Sequence, residues 1–242
     1  MARLTTTPLL ALFDIDGTLV DAGGAGRAAI ELALVSVYGT AGPIDELPFD
    51  GLTDPLIAHT LLREAGVSRN DVEEKLDALW ESYLSNLRDE LAARRSRLGQ
   101  LPGIKELLDA LMDAGATLGL VTGNIAEGAH RKLGACGLEG RFQFGAFGSD
   151  AADRNELPPI AVSRAFESTR IRFEPEHTWI IGDTPQDIAC AHASGLRVLA
   201  VATGRFSVEE LEQRGADWAV PSLADTASVM ATLATDGRAQ SR

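Results

Sequence analysis

Phe13-Asp14-Ile15-Asp16-Gly17-Thr18-Leu19 decides how this chain is read. The apolar run Leu9-Leu10-Ala11-Leu12-Phe13 leads into two carboxylates two residues apart, and a glycine follows them. A buried strand that ends by pointing acids outward is where α/β sheets place chemistry. Side chains alternate along a strand, so Asp14 and Asp16 are expected to project to the same side. Two like charges that close repel each other unless a cation sits between them or one takes up a proton. The pair therefore suits a metal ion, acid/base work, or both. The plain alternative is a solvated turn, since Asp and Gly are ordinary turn residues.

Working outward, the same pattern recurs. A helix is expected over 102–114, with Pro102 early and Gly115 just past its end. It leads into the apolar strand Thr117–Val121, which ends in Thr122-Gly123-Asn124. A later strand, His177–Ile181, ends in Gly182-Asp183-Thr184-Pro185-Gln186-Asp187. Between them Arg154 follows an expected strand Phe142–Phe147 and precedes a helix beginning near Pro158. Each polar group thus stands just beyond the C-terminal end of a strand, and in an open parallel sheet those ends line one crevice.

The order Asp-x-Asp-Gly-Thr, strand-Thr-Gly-Asn, a cation, then Gly-Asp-x-x-x-Asp resembles the haloacid dehalogenase superfamily, and within it the phosphoglycolate-phosphatase-type hydrolases. The resemblance covers roughly residues 8–235 and carries one departure: the third motif usually holds lysine, and Arg154 stands here. It implies a doubly wound α/β core over 1–19 and 99–242, with a helical cap domain inserted at 20–98. It also implies magnesium-dependent (Mg2+) hydrolysis of a small phosphomonoester through an aspartyl-phosphate. Asp14 is then the nucleophile, and Asp16 the acid that protonates the leaving alcohol and later deprotonates water. The dehalogenases of the superfamily need no acid at the second position.

Site assignments follow from residue type and resemblance together. Thr122, with the Gly123 and Asn124 amides, is expected to bind phosphate oxygens; simple helix capping is its alternative. Arg154 is expected to stabilise the phosphoryl group with a forked contact, against a surface ion pair with Asp150, Asp153 or Glu156. The metal ligands are assigned as Asp14, the Asp16 backbone carbonyl and Asp183, with Asp187 behind them or bound through water. Hard oxygens without Cys or His favour magnesium over zinc. The alternative for Asp183 and Asp187 is capping of the helix that follows. The lysines stand at 75, 105 and 132; none follows the third strand, so none is expected to stand in for Arg154.

Composition sets limits. A chain of 242 residues with 45% hydrophobic content can bury a large core in one domain or two. The net charge of −13 argues against a nucleic-acid partner, which needs a basic face. It also slows anionic substrates unless local cations receive them. No signal peptide is read at the N-terminus, no run approaches a membrane span, and a reducing cytoplasm is the default. Cys136 and Cys190 are expected to be buried free thiols. The four histidines at 59, 130, 177 and 192 are scattered and are given no catalytic part.

The insert reads as almost all helix: Ala25–Val37, a helix capped by Thr53 and ending near Gly66, and one long amphipathic stretch carrying Val72, Leu76, Leu79, Tyr83, Leu87 and Leu91. Both crossings to it contain glycine, which suggests a hinged lid. The tail Asp236–Arg242 is polar and expected to fray. A small phosphorylated metabolite is the expected partner; the cap selects it, and nothing in the cap is diagnostic. Oligomeric state is not legible. A phosphomutase of the same superfamily and a non-catalytic binder of phosphorylated metabolites are the alternative functions.

Overall fold

The computed structural model describes residues 7–235, so the tail Asp236–Arg242 lies outside the described residues. Strand β1 (Leu10–Phe13) opens the core. A short strand β2 (Val20–Asp21) leads to four helices, α1 (Ala25–Tyr38), α2 (Asp54–Glu64), α3 (Arg69–Glu74) and α4 (Leu76–Ala93). Strand β3 (Gly99–Gln100) returns the chain to α5 (Ile104–Asp113), β4 (Thr117–Thr122), α6 (Ala126–Ala135) and β5 (Gly145–Phe147). Then follow α7 (Leu157–Thr169), β6 (Thr178–Gly182), α8 (Pro185–Ala193), β7 (Arg197–Val201), α9 (Val208–Gln213), β8 (Trp218–Val220) and α10 (Thr226–Leu233).

Six strands form one parallel sheet in the order β5-β4-β1-β6-β7-β8. The chain builds outward from β1 first to one side, then to the other, so the order reverses beside β1 and opens a crevice at the carboxyl ends there. Strand alternation divides the core in two. Ala11, Phe13, Trp179 and Ile181 pack with Leu107, Leu111, Leu133 and Val229 on the face covered by α5, α6 and α10. Leu10, Leu12 and Ile180 pack with Leu157, Ala161, Ile188 and Leu211 on the face covered by α7, α8 and α9. Helices on both faces of a parallel sheet give the doubly wound α/β architecture that the strand-end motifs imply.

The insert has a core of its own. Leu34, Ile57, Leu61, Leu62, Leu79, Tyr83 and Leu87 are buried together, and Ile125 of the sheet domain joins them. Thr53 caps α2, accepting a hydrogen bond from the Leu56 amide at 3.2 Å. The amphipathic stretch is not one helix. It breaks at Lys75 (φ −109°), which ends α3 and begins α4, so Val72 packs from a separate short helix. The two crossings meet: Val20 pairs with Gln100 and Asp21 with Gly99 as an antiparallel ribbon. Strand β5 is shorter than the expected Phe142–Phe147, covering only its last three residues. Phe142 lies outside β5 and packs tilted against the Phe13 ring, with centroids 6.0 Å apart. Cys136 and Cys190 are buried free thiols. No helix among the described residues is long and apolar enough to cross a membrane.

Candidate active site at the carboxyl ends of the sheet

Four strand ends deliver the chemistry to one place. Asp14 follows β1, Thr122 closes β4, Arg154 lies in a single 3-10 turn between β5 and α7, and Asp183 follows β6. Asp14, Asp16, Thr122, Gly123, Asn124, Arg154 and Asp183 all line one cavity of about 450 Å³, roofed by α1 and the loop before α2. Asp14 is buried, whereas the Asp16 side chain is 41% exposed toward the cavity.

Arg154 is not a surface ion pair. It is 7% exposed, donates from Nη2 to Asp187 Oδ1 at 2.6 Å, and lies 3.3 Å from Asp14 Oδ2. Its Nη1 reaches the insert, donating to the Gly51 carbonyl at 3.1 Å. Burial opposes its charge, but Asp14 and Asp187 outweigh burial and hold the guanidinium well above its usual range.

Asp14, Asp183 and Asp187 can each offer an oxygen to a common ion, with those atoms within 4.8 Å of one another. Asp187 has both oxygens engaged: Oδ1 by Arg154, and Oδ2 by the Thr184 amide at 3.0 Å and hydroxyl at 2.6 Å. It forms a capping box with Thr184, so Asp187 caps α8. Asp183 accepts only the Thr18 hydroxyl at 3.1 Å among the described residues. Its carboxylate is wedged between Gly17 (φ +79°) and Gly204, where any Cβ would collide with it. Burial, then the charges of Asp187 and Asp14, push Asp183 up to about 8; burial, with smaller contributions from Asp187 and Asp16, pushes Asp14 up to about 6. Two buried carboxylates offering only oxygen, one of them partly countered by Arg154, fit a hard divalent cation.

Thr122 Oγ1 accepts from the Asn124 side-chain amide at 2.8 Å and from its backbone N–H at 3.4 Å. Its own hydroxyl proton has no acceptor among the described residues, and the residue lines the cavity.

The sequence missed a second cation. Lys132, on α6, is buried, and its Nζ donates to Asp16 Oδ2 and to Asn124 Oδ1, each at 2.6 Å. Helical spacing holds the signal: Gly128, Ala129 and Leu133 line the buried stripe of α6, and Lys132 falls on that stripe four residues after Gly128. Asp54, read as no more than part of a helix start, is also drawn in. Its carboxylate accepts the Ile125 amide at 2.9 Å and so caps α6 from the insert. Burial pushes Asp54 up to about 6, while the Lys132 charge pulls it down. Asp54 N–H donates to Gly123 O at 2.8 Å and Thr53 Oγ1 to Ala152 O at 2.7 Å, which seats the insert on the core.

With fold and site in view, comparison with known proteins defines the class. The model of the haloacid dehalogenase-like hydrolases matches residues 11–201, and the chain belongs to that family and is a hydrolase. The chain is similar to a phosphoglycolate phosphatase of Agrobacterium fabrum, 29% identical over 215 residues covering 86% of this chain and 88% of that protein. A phosphoglycolate phosphatase of Vibrio parahaemolyticus is 25% identical over 228 residues, covering 93% and 97%. A solved structure of a hydrolase from Pseudomonas syringae superposes with a TM-score of 0.71 at 21% identity, covering 94% of this chain and all of that one.

Proposed function

We propose that the protein is a magnesium-dependent phosphatase that hydrolyses a small phosphomonoester through an aspartyl-phosphate on Asp14. The observation that carries this reading is the placement of Asp14 beside Arg154 and Asp183, in one cavity with Asp16 and Thr122. In the first step an Asp14 oxygen attacks phosphorus, the bond to the leaving oxygen breaks, and Asp16 gives that oxygen its proton. In the second, Asp16 takes a proton from water; the water oxygen attacks phosphorus, and the bond to Asp14 breaks to release phosphate. Thr122 donates its hydroxyl to a phosphoryl oxygen, and Arg154 holds the nucleophile while countering its charge. Asp14, the Asp16 carbonyl and Asp183 would hold magnesium, which supplies charge neutralisation between nucleophile and phosphate.

Electrostatics supports a metal requirement. Asp14, Asp16, Asp21, Asp50, Asp54 and Asp183 outnumber Arg27, Lys132, Arg154 and Arg205 around the cavity, an excess of negative charge that repels a phosphate. Residues 20–98 are read as a cap that closes over the cavity and selects the substrate. The relatives' names point to phosphoglycolate or a compound of similar size. A cytoplasmic setting is proposed for the two reduced thiols, and neither nucleic acid nor membrane is proposed as a partner. The test is release of phosphate from an aryl phosphate and from a panel of phosphorylated small metabolites, with added magnesium and with chelator. Phosphate release that stops with chelator supports the reading; no release from any of them overturns it.

Two predictions arise here. Asp16→Asn lowers turnover by about a hundredfold or more on alkyl phosphates, whose alkoxides need a proton, and far less on an activated aryl phosphate. Equal losses on both would make Asp16 a structural residue.

The second concerns pH and metal. Folded Asp183 and Asp14 keep protons, up to about pH 8 and about pH 6, that the unfolded chain releases near the ordinary value of 3.8. The folded state therefore binds more protons across that window, and the metal-free protein loses stability as pH rises through it. Melting temperature in chelator falls from about pH 5 to about pH 8, and magnesium restores it by an amount that grows with pH. A magnesium shift that is the same at both ends of the window contradicts the ligand assignment.

A further inference from the structure

Lys132 is a deeply buried cation of the cavity that the steps above leave unused. It is 5% exposed, and an ammonium so deeply placed loses its hydration unless partners replace it. Burial alone would depress it, yet the charges of Asp16 and Asp54 outweigh burial and hold it above the ordinary lysine range. The partners form a defined clamp. Nζ donates to Asp16 Oδ2 at 2.6 Å, and Asn124 Nδ2 donates to the same oxygen at 2.8 Å. Nζ also fixes Asn124 by donating to its Oδ1 at 2.6 Å, and Asn124 Nδ2 in turn reaches Thr122 Oγ1 at 2.8 Å. Asp16 Oδ1 accepts no hydrogen bond among the described residues, so one oxygen of the carboxyl is anchored and the other is open.

The insert closes over this clamp. A Cβ built on Gly26 of α1 would stand 3.0 Å from Nζ, so the absence of a side chain there is what gives the ammonium its room. Arg154 is committed to Asp187, Asp14 and the Gly51 carbonyl, so it is unavailable to do the same work for Asp16.

We propose that Lys132 is a positioning residue for the proton transfers: by holding Asp16 through Oδ2, it leaves Oδ1 facing the leaving oxygen and then the attacking water. No bond to Lys132 is made or broken; the proton moves only between Asp16 and the reacting oxygen. The inference rests on Asp16 as the acid and base. A carboxyl free to swing loses the alignment that makes a positioned acid effective.

The test uses the full-length protein with saturating magnesium and two substrates, an alkyl phosphate and nitrophenyl phosphate. Lys132→Met keeps the aliphatic stem and removes the clamp. Its kcat is expected to fall about a hundredfold on the alkyl phosphate and less than about tenfold on the aryl one, with KM nearly unchanged. Lys132→Arg, which keeps charge and donors, recovers part of the alkyl activity. Gly26→Ala serves if Lys132→Met does not fold. It favours the helix, crowds Nζ without changing any charge, and is expected to lower the alkyl-to-aryl rate ratio at an undiminished melting temperature. Equal kcat losses on both substrates, or a raised KM with kcat intact, overturn the proposal and make Lys132 structural or a direct phosphate contact. If Asp16→Asn also fails to discriminate between the substrates, the acid/base reading itself falls. If Asp16→Asn discriminates and neither Lys132→Met nor Gly26→Ala does, only the role of Lys132 falls.

Discussion

Asp14→Asn is expected to lower turnover by about four orders of magnitude or more while leaving the protein folded. An amide has no anionic oxygen to attack phosphorus, and the nearby Asp16 carboxylate is held by Lys132 and Asn124. The fold should tolerate the change because Asp14 is a carboxylate held in place at a cost. Burial and its acidic neighbours raise it to about 6, so a neutral isostere relieves repulsion with Asp187 even as it gives up the contact with Arg154 at 3.3 Å. Melting temperature is therefore expected to match or exceed that of the unaltered chain in chelator. Steady-state rates on an aryl phosphate together with thermal melts check both halves. Residual activity within about a hundredfold of the parent would place the nucleophile elsewhere.

Arg154→Ala has the second large effect, and it acts on stability as well as rate. The guanidinium is a buried cation serving two buried carboxylates and the Gly51 carbonyl, so its removal leaves Asp187 and Asp14 without their counter-charge. Breaking a buried pair from one side typically costs about 3–5 kcal/mol, and turnover should fall by about a hundredfold or more in whatever remains folded. Arg154→Lys restores the charge, but one ammonium cannot span Asp187, Asp14 and Gly51 at once, so it recovers part of the rate and part of the stability. Chemical denaturation and kinetics at saturating magnesium read the two effects separately. Parent-like stability and rate in Arg154→Ala would mean that these contacts carry no weight in solution.

Much of the fold was legible because β-strands announce themselves by apolar runs and their ends by polar residues. Leu10–Phe13 and Thr178–Gly182 end one residue before Asp14 and Asp183, and Thr117–Thr122 ends on Thr122 itself. Parallel pairing then forces those ends to one edge of the sheet, so the sequence alone brings Asp14, Thr122 and Asp183 together. Arg154 was legible by its place in the sequence order, but not its burial: nothing local shows that Asp187, four residues beyond Asp183, turns back to pair with it.

Lys132 was missed for a different reason. Sequence order assigns a residue to the strand it follows, whereas Lys132 reaches the site from within α6. A helical side chain leans toward the N-terminus of its helix, and Lys132 sits less than two turns in, so its long stem reaches back to Asn124 and Asp16. Asp54 was missed because its role depends on the insert docking on the core, a contact between residues 54 and 125 that no local pattern encodes. The break at Lys75 was hidden because apolar spacing continues across it while the backbone does not.

The central claim is that the phosphoryl group passes through Asp14. Its most direct test is rapid mixing of the magnesium-loaded protein with an aryl phosphate, quenching in acid, and mass spectrometry of the peptide spanning Phe13 to Leu19. The account predicts one phosphoryl group on Asp14 of that peptide, present only during turnover and absent from Asp14→Asn. Sustained phosphate release with no phosphorylated peptide at any quench time, or with the phosphoryl group on another residue, would contradict it.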